Sequence, residues 1–177
     1  MIIPMNGHTP QIASNAFIAP TAVLIGDVVI GEGASIWYGV VLRGDQGRIV
    51  IGSGTNVQDN VTVHIPENGS TVIKDNVTIG HGAVLEGCVV ESGALIGMNA
   101  VILQDATIGE QAFVAAGSVV TEGMTIPPRV LAAGVPAKVK KELEGSSANW
   151  VSIAAPRYRE LSSQHRQAVD ALEEGKE

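Results

Sequence analysis

Large aliphatic residues return along this chain at every sixth position. Ile18, Leu24, Ile30, Ile36 and Leu42 form the first run. The beat resumes at Ile51, Val57 and Val63, and again at Ile73, Ile79 and Leu85. It then shifts by one and continues through Val90, Ile96, Ile102, Ile108, Val114 and Val120. Glycine follows many of these beats, as at Gly31, Gly52, Gly80, Gly97 and Gly109. A period of six with aliphatic beats and glycine-rich turns predicts a parallel β-helix, an all-β solenoid built from hexapeptides. Three hexads make one triangular coil, so a body from about 12 to 126 holds six or seven coils. Each hexad is a short strand with a corner, and its beat residue points inward. Asn56, Asn60 and Asn76 suit sharply turned corners. Stacked coils bury each other's aliphatic side chains, so stability is largely nearest-neighbour.

The flanks read differently. Residues 1 to about 11 predict a lead-in strand or cap. Pro127 and Pro128 stop the repeat, and GVPAKVKKELEG predicts a short helix after Pro136. A longer helix is expected beyond Ser147 to Asn149, best over 155–174. There Tyr158, Leu161, His165, Val169 and Leu172 trace a stripe near helical period. The charged tail EEGKE, 173–177, is expected to fray. The expected organisation is a β-helix domain over 1–135 with a short N-terminal cap, and a helical segment over 136–177 packed on it. Three such prisms around a threefold axis would bury one edge from each copy, a geometric expectation.

Composition narrows the class. Aromatics make up 3% of the 177 residues, against 45% hydrophobic. A compact core uses more aromatic rings, whereas a narrow solenoid interior is filled by Val, Ile and Leu. Net charge is −7 with eleven Lys and Arg and no basic patch. That argues against nucleic acid and anionic membranes as partners. A lone Cys88 excludes an intrachain disulfide and fits a reducing compartment. The start MIIPMNGHTP lacks the basic flank and apolar run of a signal peptide, and no apolar stretch reaches membrane-spanning length. A cytoplasmic location is the expectation.

The rhythm breaks at three points: between Leu42 and Ile51, between Val63 and Ile73, and between Leu85 and Val90. In the second, Pro66, Asn68 and Gly69 predict an outward loop. Solenoid insertions gather on one face, often the working one. His64 directly follows the beat at Val63, and Glu86 directly follows Leu85, so the two are expected close together on stacked coils. His81 falls on the next corner, better placed to meet them from a neighbouring subunit. Two imidazoles and a carboxylate suit zinc with one position left open for water, whose pKa such a site lowers. The bland alternative makes His64 and His81 ordinary turn residues and Glu86 a solvated one. Arg43 and Asp45 bracket Gly44, and Gln58 and Asp59 follow Val57. An Arg–Asp pair staples coils or subunits, and an intersubunit ion pair is favoured for Arg43 and Asp59. Gln58 is a candidate to orient water or a substrate oxygen. The Arg43–Gly44–Asp45 tripeptide does not read as an adhesion signal here. Cys88 reads as a small buried residue, ranking behind Glu86 as a ligand. Trp37 is assigned to an interface and Trp150 to anchoring the helix, while Tyr158 is a candidate for the site mouth with packing as the equal alternative.

The stretches GDVVIGEGASIWYGVVLRGD, IGSGTNVQDNVTVH, IGHGAVLEGC and LIGMNAVIL together resemble the gamma-class carbonic anhydrase-like family of hexapeptide-repeat proteins. The resemblance spans about residues 10 to 136. It implies a left-handed β-helix, an exception to the right-handed crossover rule. It also implies a homotrimer with metal sites between subunits. His64 falls on the family's first metal histidine, and His81 on the second, supplied by the adjacent subunit. Arg43, Asp45, Gln58 and Asp59 match its polar pairs, with Gln58 tied to the metal-bound water and Arg43 and Asp59 to subunit contacts. Glu86 is the departure, because intact members read LHGC where this chain reads LEGC. A carboxylate there partly cancels the metal's charge and raises the pKa of bound water, so weaker activity or a different metal or substrate follows. The family's acidic proton-transfer loop is also absent.

Three functions compete at this stage. The first is zinc-dependent hydration of carbon dioxide to bicarbonate, with zinc or another divalent metal as cofactor. The second is acyl transfer from an acyl-CoA, suggested by the GVPAKVKK tail. The third is a non-catalytic trimeric scaffold, for which Glu86 speaks. In both enzymatic readings the partner is a small-molecule substrate.

Overall fold

A computed structural model describes residues 1–174. The remaining tail, 175–177, to which part of the fraying expectation applies, lies outside the described residues. The chain winds as a left-handed parallel β-solenoid of about 7 turns, followed by one helix, α1 (Gly145–Glu174).

Three faces line the prism. The first carries the starts of the long strands Val23–Ile30 and Val41–Ile51, then Thr62–His64, Val84–Glu86, Val101–Ile102 and Val119–Val120. The second carries the ends of those two strands, then Ser70–Ile73, Val89–Val90, Thr107–Ile108 and Thr125–Ile126. The third runs from Phe17–Ile18 through Ser35–Ile36, Asn56–Val57, Thr78–Ile79, Leu95–Ile96 and Phe113–Val114 to Val130–Ala133. Ile2–Ile3 and Gln11–Ile12 add in parallel at the N-terminal end, as expected of a lead-in.

The hexad has a simple physical cause. Two extended residues send one side chain in and one out. The chain must then turn sharply, and from Gly87 onward a left-handed residue recurs six positions apart: Gly93, Asn99, Asp105, Gln111, Gly117, Gly123 and Arg129. The beat residues from Leu24 to Val120 are buried, Ile18 partly so. A second inward column, two positions before each beat, is filled from Val90 onward by small residues: Cys88, Ala94, Ala100, Ala106, Ala112 and Ser118. In the earlier coils the same column also takes larger residues, Val28, Val40, Ile49, Val61 and Val77, all buried. Cys88 belongs to this column, and burial pushes its thiol up to about 12.

Three expectations need correction. Pro127 and Pro128 do not end the solenoid, because Val130–Ala133 continues the third face. The segment after Pro136 is a strand, Lys138–Glu142, not a short helix. The third face ended there with unpaired backbone groups, and an antiparallel hairpin satisfies them. Asn56 is a buried strand residue donating to Thr78 Oγ1 at 2.8 Å, whereas Asn60 and Asn76 are the left-handed corners. The Leu42–Ile51 interval stays extended, its extra residues absorbed by a register shift opposite Gly26–Val28.

Helix α1 folds back along the third face, touching Phe17–Ile18, Ser35–Ile36, Asn56–Val57 and Thr78–Ile79. Arg166 donates to the Ala16 carbonyl at 2.7 Å, and Arg159 to Asn76 at 2.9 Å. The expected stripe holds from Tyr158 to Val169, while Leu172 is exposed. Trp37 fills a contact within its own chain, packed edge-on against Phe17, Tyr158 and His165. Val151 and Ala154 anchor the first turns of α1, and Trp150 is 41% exposed.

Candidate metal centre

The corner between the first and second faces gathers Arg43, Asp45, His64 and Glu86. Thr62–His64 and Val84–Glu86 pair in parallel with His64 opposite Glu86. Neighbours in a parallel ladder sit one strand spacing apart, so their side chains meet. His64 Nδ1 lies 3.3 Å from Glu86 Oε1, and Nε2 lies 3.3 Å from Asp45 Oδ1. Arg43 donates to Asp45 Oδ2 at 2.7 Å. Burial would raise the Asp45 carboxyl, but the Arg43 hydrogen bond and charge, a backbone donor and His64 outweigh it and hold it below its ordinary value. The loop that follows is seated by buried Ile65 and by Pro66 against Gly87. Thr71 braces it, donating to the His64 carbonyl at 2.6 Å and accepting the Gly87 N–H at 2.8 Å.

The corner between the third and first faces holds the second group. His81 Nδ1 lies 2.8 Å from Asp59 Oδ2. The Tyr158 hydroxyl, from α1, lies 3.3 Å from His81 Nε2. Burial raises the Tyr158 hydroxyl, the Asp59 charge adds to this and Arg157 opposes it, so the phenol keeps its proton. Gln58 is buried with both ends occupied: Nε2 donates to Asn56 at 3.1 Å, and Oε1 accepts the His81 N–H at 3.2 Å. Its side chain therefore fixes the backbone that carries the imidazole. Asn56 and Thr78 extend this chain of hydrogen bonds inward. Among the described residues no buried side-chain polar atom lacks a partner.

The two groups stand at opposite edges of the first face. His81 lies in the turn that leads into Val84–Glu86, five residues before Glu86, so the two are at most about 16 Å apart. Within the single chain, Arg43 pairs with Asp45 and Asp59 with His81. No cluster of three His, Cys, Asp or Glu groups able to hold a metal occurs among the described residues of one chain. The donor side chains at each edge are nonetheless partly exposed to solvent. The His64, Glu86 and His81 side chains are 20%, 34% and 44% exposed. Sequence reading passed over Thr71, Asn56 and Thr78. They carry no metal-site signature, and only the stacking of coils puts them under the histidines.

A left-handed hexapeptide solenoid with histidines on two corners defines the class, and known proteins agree. The bacterial transferase hexapeptide (six repeats) family model matches residues 9–44 and 87–122. A carbonic anhydrase of Geobacillus kaustophilus is 52% identical over 81% of this chain and 79% of its own length. The mitochondrial gamma carbonic anhydrase 2 of Arabidopsis thaliana is 44% identical over 89% of this chain and 59% of its own, so the chain spans under two thirds of that relative. A crystal structure from Bacillus cereus, described as a candidate acetyltransferase, superposes with TM-score 0.93 at 42% identity, covering 95% of this chain and 98% of that one. The chain belongs to the gamma-class carbonic anhydrase-like family of hexapeptide-repeat proteins. No described helix is long and apolar enough to cross a membrane.

Proposed function

We propose that this protein is a homotrimeric, metal-dependent enzyme that hydrates carbon dioxide to bicarbonate, releasing one proton. The observation that carries the reading is the split donor set: His64 beside Glu86 on one edge of a face, His81 held by Asp59 on the other. A cyclic trimer joins unlike edges, so the first edge of one copy meets the second edge of the next. His64 and Glu86 then share a site with the partner's His81. Two imidazoles and a carboxylate fit zinc with an open position. When bound, the ion supplies a Lewis acid for the activation of water.

The chain's own groups do the rest. Asp59 orients the His81 ring, and Gln58 fixes its backbone. Asp45, kept ionised by Arg43, turns the His64 ring. Glu86 adds negative charge to the site, so the electrostatic activation of water is weaker than a third imidazole would allow. A cytoplasmic protein free of nucleic acid and membrane partners fits the charge of −7.

Acyl transfer is the competing reading. It is favoured by the Bacillus cereus similarity and by a groove of about 360 Å³ between α1 and the solenoid, which His81 borders. Metal analysis of protein purified without chelator separates the two, with about one zinc or similar ion per chain expected for hydration. Glu86→His should then raise the stopped-flow hydration rate. No bound metal after reloading, together with stoichiometric acetyl-CoA binding, would overturn hydration in favour of acyl transfer. A chain that binds neither is a scaffold.

A further inference from the structure

Both ring nitrogens of His81 already have partners inside its own chain. Asp59 Oδ2 stands 2.8 Å from Nδ1, and the Tyr158 hydroxyl stands 3.3 Å from Nε2. An ionised carboxylate only accepts, so Asp59 draws the ring proton to Nδ1. The Nε2 lone pair is then the one position on the ring open to a cation. The Tyr158 O–H donates into that lone pair.

We propose that Tyr158 is a positioning residue that caps His81 Nε2, so that helix α1 competes with the metal ion for this nitrogen. The proposal rests on the metal reading above and adds a step to it, since the cap must leave before His81 can ligate.

Two observations support a cap that can be withdrawn, and a third shows that the fold itself presents it. The Tyr158 contact is the longer of the two, and a neutral donor is weaker than the carboxylate on the other side. Tyr158 is the partner that yields. Its ring is also held in place: it stands edge-on to Trp37 at 5.4 Å, and Trp37 packs on His165, which meets the Tyr38 hydroxyl at 3.0 Å. The hydroxyl is therefore presented by the docked helix rather than by a free rotor. Finally, the groove beside it, lined by Leu95, Met98, Phe113, Trp150 and Leu161, gives a displaced phenol somewhere to go.

Tyr158→Phe removes the hydroxyl and keeps the ring against Trp37. Zinc affinity of the two proteins is measured by competition with a chromogenic chelator. Loss of one neutral hydrogen bond to the lone pair should tighten zinc binding roughly two- to tenfold. Equal or weaker binding overturns the cap and leaves the metal reading standing. Zinc binding by neither protein removes the metal reading and the cap with it. Ring ¹⁵N spectra of the metal-free protein give a second readout. The expected result is an Nδ1–H tautomer whose Nε2 resonance moves in Tyr158→Phe. A proton on Nε2 overturns the cap.

Discussion

Replacing Asp59 by Asn tests how the chain prepares His81. The carboxylate meets Nδ1 at 2.8 Å, a charge-assisted bond of a kind worth about 1.5–3 kcal/mol. Both side chains are a third or more open to solvent, which screens the pair and favours the lower end of that range. About 1.4 kcal/mol is a factor of ten in affinity. Outer partners of ligating histidines typically contribute 10- to 100-fold, and the exposed Asp59 belongs at the bottom of that span, about tenfold. Asn has a further effect in the same direction. Its amide can turn to donate to Nδ1, which moves the ring proton to Nε2 and blocks the lone pair. Chelator competition should therefore show zinc binding weakened about tenfold in Asp59→Asn. Asp75→Asn is the control, because Asp75 accepts the Ser53 N–H at 2.7 Å away from either histidine. Unchanged affinity in Asp59→Asn, with zinc still bound, would refute the orienting role.

Two further outcomes test the scaffold. Leu85→Ala empties the inward column between Val63 and Ile102, all fully buried, where parallel ladders on both sides resist collapse. Urea denaturation should show a loss of about 3–5 kcal/mol, and a loss under about 1 kcal/mol would contradict the packing. The Cys88 thiol sits above its ordinary value near 9, at about 12. Its contribution is fully present below the unfolded value and fades as pH rises toward the folded one. Cys88→Ala should flatten the loss of stability between about pH 9 and about pH 12, and an identical alkaline loss in both proteins would contradict the burial argument. The native thiol should also resist alkylation until urea unfolds the chain.

The solenoid was legible because its inward column must be large and aliphatic. Leu24 through Val120 announce it without help from the rest of the chain. The second column is looser, running from Val and Ile in the early coils to small residues from Cys88 on, and alanine and serine carry little signal alone. Asp105, Gln111 and Arg129 take left-handed corners at a cost of about 1–2 kcal/mol each, which coil stacking imposes against local preference. The strand at Lys138–Glu142 was misread for a related reason. KVKKE is fully exposed and has no strand-like alternation, and only the open end of the third face makes it pair.

The site was legible in half. The spacing of His64 and Glu86 follows from the loop inserted between them, and the ladder puts them opposite each other. Asp59 and Tyr158 around His81 carry no such spacing. Tyr158 reaches the ring from a helix 77 positions further along, and Trp37 and His165 decide where that helix lies. Within one chain Arg43 meets Asp45, two residues away, at 2.7 Å.

Subunit mixing tests the split site most directly. His64→Ala chains lack a donor on one edge, and His81→Ala chains lack the donor on the other. Neither alone should hold zinc at native stoichiometry. Unfolded together in equal amounts and refolded, they should assort at random into trimers in which about one quarter of the interfaces pair an intact His64 with an intact His81. Zinc bound per chain should return to about a quarter of the native level. Mixed protein that binds no more zinc than the separate variants would contradict a site built from two edges of neighbouring copies.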